Sequence, residues 1–218
     1  MKKTVLTFGL IALTSSYLVS CKCDTDTTSN HLAKTSDDVV EEVVVVNENG
    51  TLDENNNYVY SIGEISDVIL PNNDTLNIGD LSTEKKLITQ LNDQKFSVNA
   101  DKTKDWITLD RVYFDVNKSV VTGISSTQID NIARILKAYP TATLKIGGYT
   151  DITGDAAINN KISADRAAEV AKALVSKGIA ADRMSTEGYG AQHFLCEAND
   201  TDLCKAQNRR VDIRITKK

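Results

Sequence analysis

From Val112 to Ile215 the hydrophobic period of this chain switches repeatedly between two residues and about 3.6, and this alternation restricts the fold more than any other feature. Val112, Phe114 and Val116 alternate with polar neighbours, as a half-buried strand does. Ile129, Ile132, Ala133 and Leu136 recur at helical spacing, and Pro140 follows the helix end. Leu144 and Ile146 mark a second strand running into Gly147-Gly148-Tyr149. Ala167, Val170, Ala171, Leu174 and Val175 line a second helix, with Gly178 at its C-cap. Met184–Gly190 and the run Val211, Ile213, Ile215 give two more strands. Strands alternating with helices predict an α/β sandwich, with helices packed on a mixed sheet and right-handed crossovers.

Charge divides the chain. Residues 21–108 carry 17 acidic and 7 basic side chains, and residues 109–218 carry 13 and 16, which places a boundary near residue 108. The formal net charge of −5 argues against a general nucleic-acid binder. Within the acidic part, residues 58–105 read as a small β/α module. Tyr58, Val59, Tyr60 and Ile62 open a strand, and Val68–Leu70 and Leu76–Ile78 flank Pro71-Asn72-Asn73-Asp74 as a hairpin. Ser82 begins a helix with Glu84 in its first turn and Leu87, Ile88 and Leu91 on its apolar face. Residues 21–57 are polar and lack aromatic side chains, so they cannot bury enough apolar surface to offset chain entropy and read as a disordered, acidic tether. Val43–Val46, with Asn49-Gly50 as a turn, is the one strand-like interruption.

The N-terminus is an address. Lys2 and Lys3 precede an apolar run, Val5–Leu13, too short to span a bilayer. Leu18-Val19-Ser20-Cys21 resembles the bacterial lipobox, which implies a signal peptide over residues 1–20 and lipidation of Cys21. Acyl chains such as palmitate contribute about 0.8 kcal/mol per buried CH₂, so several chains on one residue hold the protein to a membrane.

Five segments, VYFDVNKS (112–119), GGYTDITGD (147–155), ISADRAAEV (162–170), STEGYG (185–190) and NRRVDI (208–213), together resemble the OmpA-like peptidoglycan-binding domain family over residues 106–218. The resemblance implies a βαβαββ sandwich that binds peptidoglycan without catalysis or cofactor. Residues 21–108 are too few for the membrane β-barrel that some members carry. A lipid-anchored outer-membrane layout with the C-terminal domain in the periplasm is the expectation, with Tol-type envelope proteins as further partners that the family suggests.

Asp151 follows a strand directly, where loops form a crevice, and Arg166 lies fifteen residues on. From the residues alone, a structural salt bridge or two solvated charges remain open. An anionic acceptor beside a cationic donor also suits a zwitterion. The resemblance implies meso-diaminopimelate of the peptidoglycan stem peptide, with Asp151 taking its ammonium and Arg166 its carboxylate. Backbone N–H groups of the loop Thr150–Gly154 are expected to add donors, and by the same resemblance Asn159, Asp115, Asn208 and Arg210 line the pocket. Side chains alternate along a strand, so one of Arg209 and Arg210 is expected to face away from the ligand.

After Gly190 the sequence departs from the family pattern, with Gln192-His193-Phe194 and no Pro. Cys196 and Cys204 lie in this loop. In an exported protein a disulfide between them is expected, as some members of the family have one at a similar place. A zinc site using His193 and both cysteines is the rival, although the spacing matches no standard pattern and no fourth ligand is evident, so no metal is expected. Cys23 is left unpaired. Two further function classes stay open. One is a cell-wall hydrolase built on Asp151 and Asp155, although no catalytic triad stands out and an enzyme is not expected. The other is a surface-exposed interaction module, suggested by Asp24-Thr25-Asp26 after Cys21.

Overall fold

The computed structural model describes residues 50–114 and 125–218. The signal peptide, Cys21, Cys23, the strand proposed at Val43–Val46, Asp115 and Val116 lie outside the described residues.

The α/β expectation holds. Among the described residues, four strands form a mixed sheet in the order β5 (Ile107–Thr108), β8 (Val211–Lys217), β6 (Thr143–Gly148), β7 (Met184–Gly188). β6 and β7 run parallel, joined through the 21-residue helix α3 (Ala156–Ser176); β8 is antiparallel to β6 and β5. Helix α2 (Ser126–Ala138) precedes β6 and packs on α3, and α1 (Thr83–Asn92) packs on α2. The alternation of β8 sorts the two faces of the sheet. Val211, Ile213 and Ile215 are buried in the same apolar cluster as Leu174 of α3 and Ile132 of α2, while Asp212 and Arg214 point the other way.

The close fit of α3 on the sheet depends on two glycines. A Cβ on Gly148 would lie 2.0 Å from the carbonyl oxygen of Ser163, and one on Gly188 would lie 2.4 Å from the amide nitrogen of Ala164. Both distances are impossible for a side chain, so glycine lets the helix backbone lie against the C-terminal ends of two parallel strands. Arg166 is thereby carried next to the loop that leaves β6.

Residues 50–105 do not stand apart. Leu70, Leu76, Ile78, Leu87 and Leu91 belong to one hydrophobic cluster with Ile132, Ile146 and Ile213. The expected hairpin is present as β3 (Ile65–Ile69) and β4 (Thr75–Gly79), closed by Leu70 N–H donating to the Asp74 carbonyl at 2.8 Å with Asn73 at φ 62°. Ser82 caps α1 through its hydroxyl, as its position before Thr83 predicts. Glu84 does more than complement the helix dipole. It is fully buried and accepts from Arg111 at 2.5 and 2.6 Å and from Asn131 of α2 at 3.0 Å. Asp110 completes this seam by accepting from the Thr83 amide at 2.7 Å and from Gln128 Nε2.

Two local readings change. The last residues of the stretch 21–57 are ordered: β1 (Gly50–Leu52) pairs antiparallel with β2 (Tyr58–Tyr60), because Tyr58 is buried and Asp53 closes a turn between the strands. The strand expected at Val112, Phe114 and Val116 falls only partly within the described residues, with Phe114 in a single β-bridge and Val116 outside them. Ile107 and Thr108 pair with β8, and Val112 is buried in the core without belonging to a described strand.

Candidate functional site

Asp155 sets the N-terminus of α3. Its carboxylate accepts from the amides of Ala157 at 2.8 Å and Ile158 at 3.1 Å. It is therefore spent as a helix cap, and the paired-carboxylate reading loses one member to a structural task. The cap places Arg166 at the eleventh residue of α3. Asn159, Ser163 and Arg166 lie on one face, continuous with the apolar stripe Ala167, Val170 and Leu174.

Asp151 and Arg166 line one cleft of about 510 Å³, together with Thr150, Thr153, Asn159, Lys205, Asp202, Arg209 and Asn56. The two headline residues and two of the five supporting ones, Thr150 and Asn159, are thus brought together. Asn159 donates to the Thr153 carbonyl at 3.1 Å and steadies the loop after β6. Thr150 is tied to β7 by its amide, which donates to the Gly190 carbonyl at 2.9 Å; its hydroxyl is buried with no hydrogen-bond partner among the described residues.

Asp151 is 8% exposed, accepts from the Thr153 amide at 2.8 Å and forms an ion pair with Arg209 Nη1 at 2.8 Å. Burial pushes its pKa up, but the hydrogen bonds from Arg209 and Thr153 outweigh that, and the carboxyl is held below its ordinary value. Arg166 is 4% exposed, with its guanidinium carbon 5.1 Å from the ring centre of Phe114. Burial and the neighbouring Arg209 lower its pKa to about 10, with Asp151 opposing, so it stays cationic at neutral pH.

Asn208 and Arg210 do not line this cleft, although Arg210 meets Arg166, Arg209 and Phe114 around a smaller neighbouring cavity. Asn208 is buried under the loop after β7, where its side-chain oxygen takes the amides of Leu195 and Cys196 and its amide donates to the Cys196 carbonyl. Arg210 lies on the other face of the sheet. Its guanidinium stacks on Tyr149 at 3.9 Å, pairs with Asp212 at 3.0 Å and donates to the His193 carbonyl at 2.8 Å, inside a separate groove with Trp106 and Tyr189. Asp212 is wholly buried there, and desolvation raises its pKa against the pull of Arg210.

Of the two adjacent arginines it is Arg209 that enters the cleft, and its signal was present in the sequence. Running the parity Val211, Ile213, Ile215 back by two residues puts Arg209 on the helix-covered face and Arg210 on the other. Lys205 and Asp202 were missed because they ride on a short helix, α4 (Asp202–Asn208), within what read as an irregular loop. Thr201, which caps α4 through its hydroxyl, is the signal that could have located it. Cys196 and Cys204 form the expected disulfide across the start of this segment, which removes both sulfurs from any metal site with His193.

The model of the OmpA family matches residues 113–209. The chain is 36% identical over 105 residues to the probable lipoprotein YiaD of Escherichia coli, covering 48% of this chain and about half, 48%, of that protein's length. It is 31% identical over 141 residues to the peptidoglycan-associated lipoprotein of Brucella melitensis, covering 65% of this chain and 76% of the relative. Among solved structures it is similar to the peptidoglycan-associated lipoprotein from Burkholderia pseudomallei, at 27% identity and a TM-score of 0.47, covering 58% of this chain and 99% of that one.

Proposed function

The chain belongs to the OmpA family, and on that premise we propose that it is a non-catalytic anchor that binds peptidoglycan through the cleft between α3 and the loop after β6. The observation that carries the reading is the meeting of one buried carboxylate, Asp151, with Arg166 and Arg209 in a single cleft. The side-chain end of meso-diaminopimelate bears an ammonium and a carboxylate on one carbon. Asp151 accepts from the ammonium. Arg166 grips the carboxylate, and Arg209 adds a second cation beside it. Both charges of the ligand are then matched in a site largely withdrawn from water, where a misplaced charge is costly.

With lipid on Cys21, this cleft links the outer membrane to the wall from the periplasmic side, and many copies on two facing surfaces gain by multivalency. Tol-type envelope proteins are further partners on this reading.

The test is pull-down of the full chain with purified sacculi, comparing wild type with Asp151→Asn and Arg166→Gln. Removing one partner of a desolvated charge pair costs about 2–5 kcal/mol, or about thirtyfold or more in affinity. If both variants, shown to be folded by circular dichroism, sediment with sacculi as wild type does, the reading is wrong. Release of soluble fragments from the sacculi would instead favour the hydrolase.

A further inference from the structure

The cleft has a wall that lies outside the residues matching the family. Asn56, in the turn between β1 and β2, lines it, and the Asn56 carbonyl accepts from Arg209 Nη2 at 2.9 Å. Arg209 Nη1 holds Asp151 at 2.8 Å, so the guanidinium is fixed from both ends, by a carboxylate and by a main-chain carbonyl. The arginine side chain is 28% exposed, and a side chain with its rotamer freedom would be poorly oriented without these two anchors.

The carbonyl is aimed by a turn that one residue organises. Asp53 Oδ1 accepts from the amides of Asn55 at 2.9 Å and Asn57 at 2.8 Å, and Oδ2 accepts from Asn57 Nδ2 at 2.9 Å. The backbone adds Asn56 N–H to the Asp53 carbonyl at 3.0 Å and Asp53 N–H to the Asn57 carbonyl at 3.1 Å. Asn56 sits at φ 57° inside this loop, a conformation that Asn tolerates better than most residues. Asp53 itself does not line the cleft.

We propose that Asp53 is a positioning residue for the wall-binding cleft: through the β1–β2 turn it aims the Asn56 carbonyl that orients Arg209 toward the ligand. The inference rests on the peptidoglycan reading for its ligand and on the turn geometry for its mechanism. It makes binding depend on a segment near the N-terminal side of the chain that the family model does not include.

The experiment measures affinity of the full chain for a meso-diaminopimelate tripeptide by calorimetry, for wild type, Asp53→Ala and Asp53→Asn, each with Arg209 intact and as Arg209→Ala. In parallel, side-chain ¹⁵N NMR follows the guanidinium of Arg209 without ligand. Asp53→Ala is expected to weaken binding by about three- to tenfold, the scale of a lost hydrogen bond, and to merge the resolved Nη signals of Arg209. Asp53→Asn keeps an Oδ1 acceptor for both amides and restores binding to within about twofold of wild type. In the Arg209→Ala background, Asp53→Ala adds nothing further. Equal losses in both backgrounds, or unchanged Arg209 signals in Asp53→Ala, overturn the proposal. Failure of wild type to bind the tripeptide sinks the ligand reading alone, and the NMR comparison then decides the positioning claim by itself.

Discussion

Replacing Glu84 by Ala removes the one carboxylate on which three side chains from two other parts of the chain converge. Arg111 loses both of its bonds to it, at 2.5 and 2.6 Å, and Asn131 Nδ2 loses its 3.0 Å acceptor. Gln128 Nε2 keeps Asp110. Glu84 is 0% exposed, whereas the Arg111 side chain is 27% exposed and can recover some hydration. Breaking a buried pair costs about 3–5 kcal/mol, and the partial exposure of Arg111 places this case near the lower end, about 3 kcal/mol. With a urea dependence of about 2 kcal/mol/M for a domain of this size, the unfolding midpoint should fall by about 1.5 M. Unfolding is followed by fluorescence of the single Trp of the sequence, Trp106, and by far-ultraviolet circular dichroism. Because Leu87 and Leu91 share one core with Ile132 and Ile213, both signals should move together. A midpoint shift below about 0.5 M, or two separated transitions in which Trp106 is unaffected, would refute the view that the seam around Glu84 welds residues 58–105 to the sheet.

Two further outcomes follow from the site. The depressed pKa of Asp151 means that its carboxylate stays ionised well below neutrality, so the stability it contributes is present above the unfolded value of about 3.9 and is lost as pH falls through the lower folded value. Affinity for a diaminopimelate peptide, measured by calorimetry, should therefore be level from pH 7 to 5 and drop only below about pH 4, and Asp151→Asn should abolish that acid limb. Replacing Cys196 and Cys204 together by Ser opens a loop of sequence separation 8, which by chain entropy should cost about 2.5 kcal/mol in thermal or urea unfolding. A loss below about 0.5 kcal/mol would show that the bonds from Asn208 hold the loop without the disulfide.

Elements whose order is set by local periodicity could be read directly. The α2, α3, β6 and β8 residues alternate as their burial requires, and the β3–β4 turn carries Pro71-Asn72-Asn73-Asp74 in plain view. Features that depend on long-range contact could not. β1 is ordered by a partner strand and by an Asp53 turn rather than by its own composition, so a polar stretch became structured at its C-terminal end. The join between residues 58–105 and the sheet rests on Glu84, whose place in a first helical turn gave a sufficient local reason for its charge and hid its contact with residues 27 and 47 positions away. In the site, Asp151 and Arg166 were found through motif context. Asn208 is engaged by the loop after β7, and Arg210 shares only a neighbouring cavity with Arg166 and Arg209, placements that depend on long-range contacts and not on the local segment.

Arg209 and Arg210 differ only by parity, yet one pairs with Asp151 in the cleft beside α3 and the other with Asp212 in the aromatic groove. One residue inserted between Arg210 and Val211 would reverse the facing of both, turning Arg209 away from Asp151 and leaving Asp212 without its partner. The spacing of the two arginines from Val211 is therefore as much a part of this corner as their charge, because the count of residues decides which carboxylate each one meets.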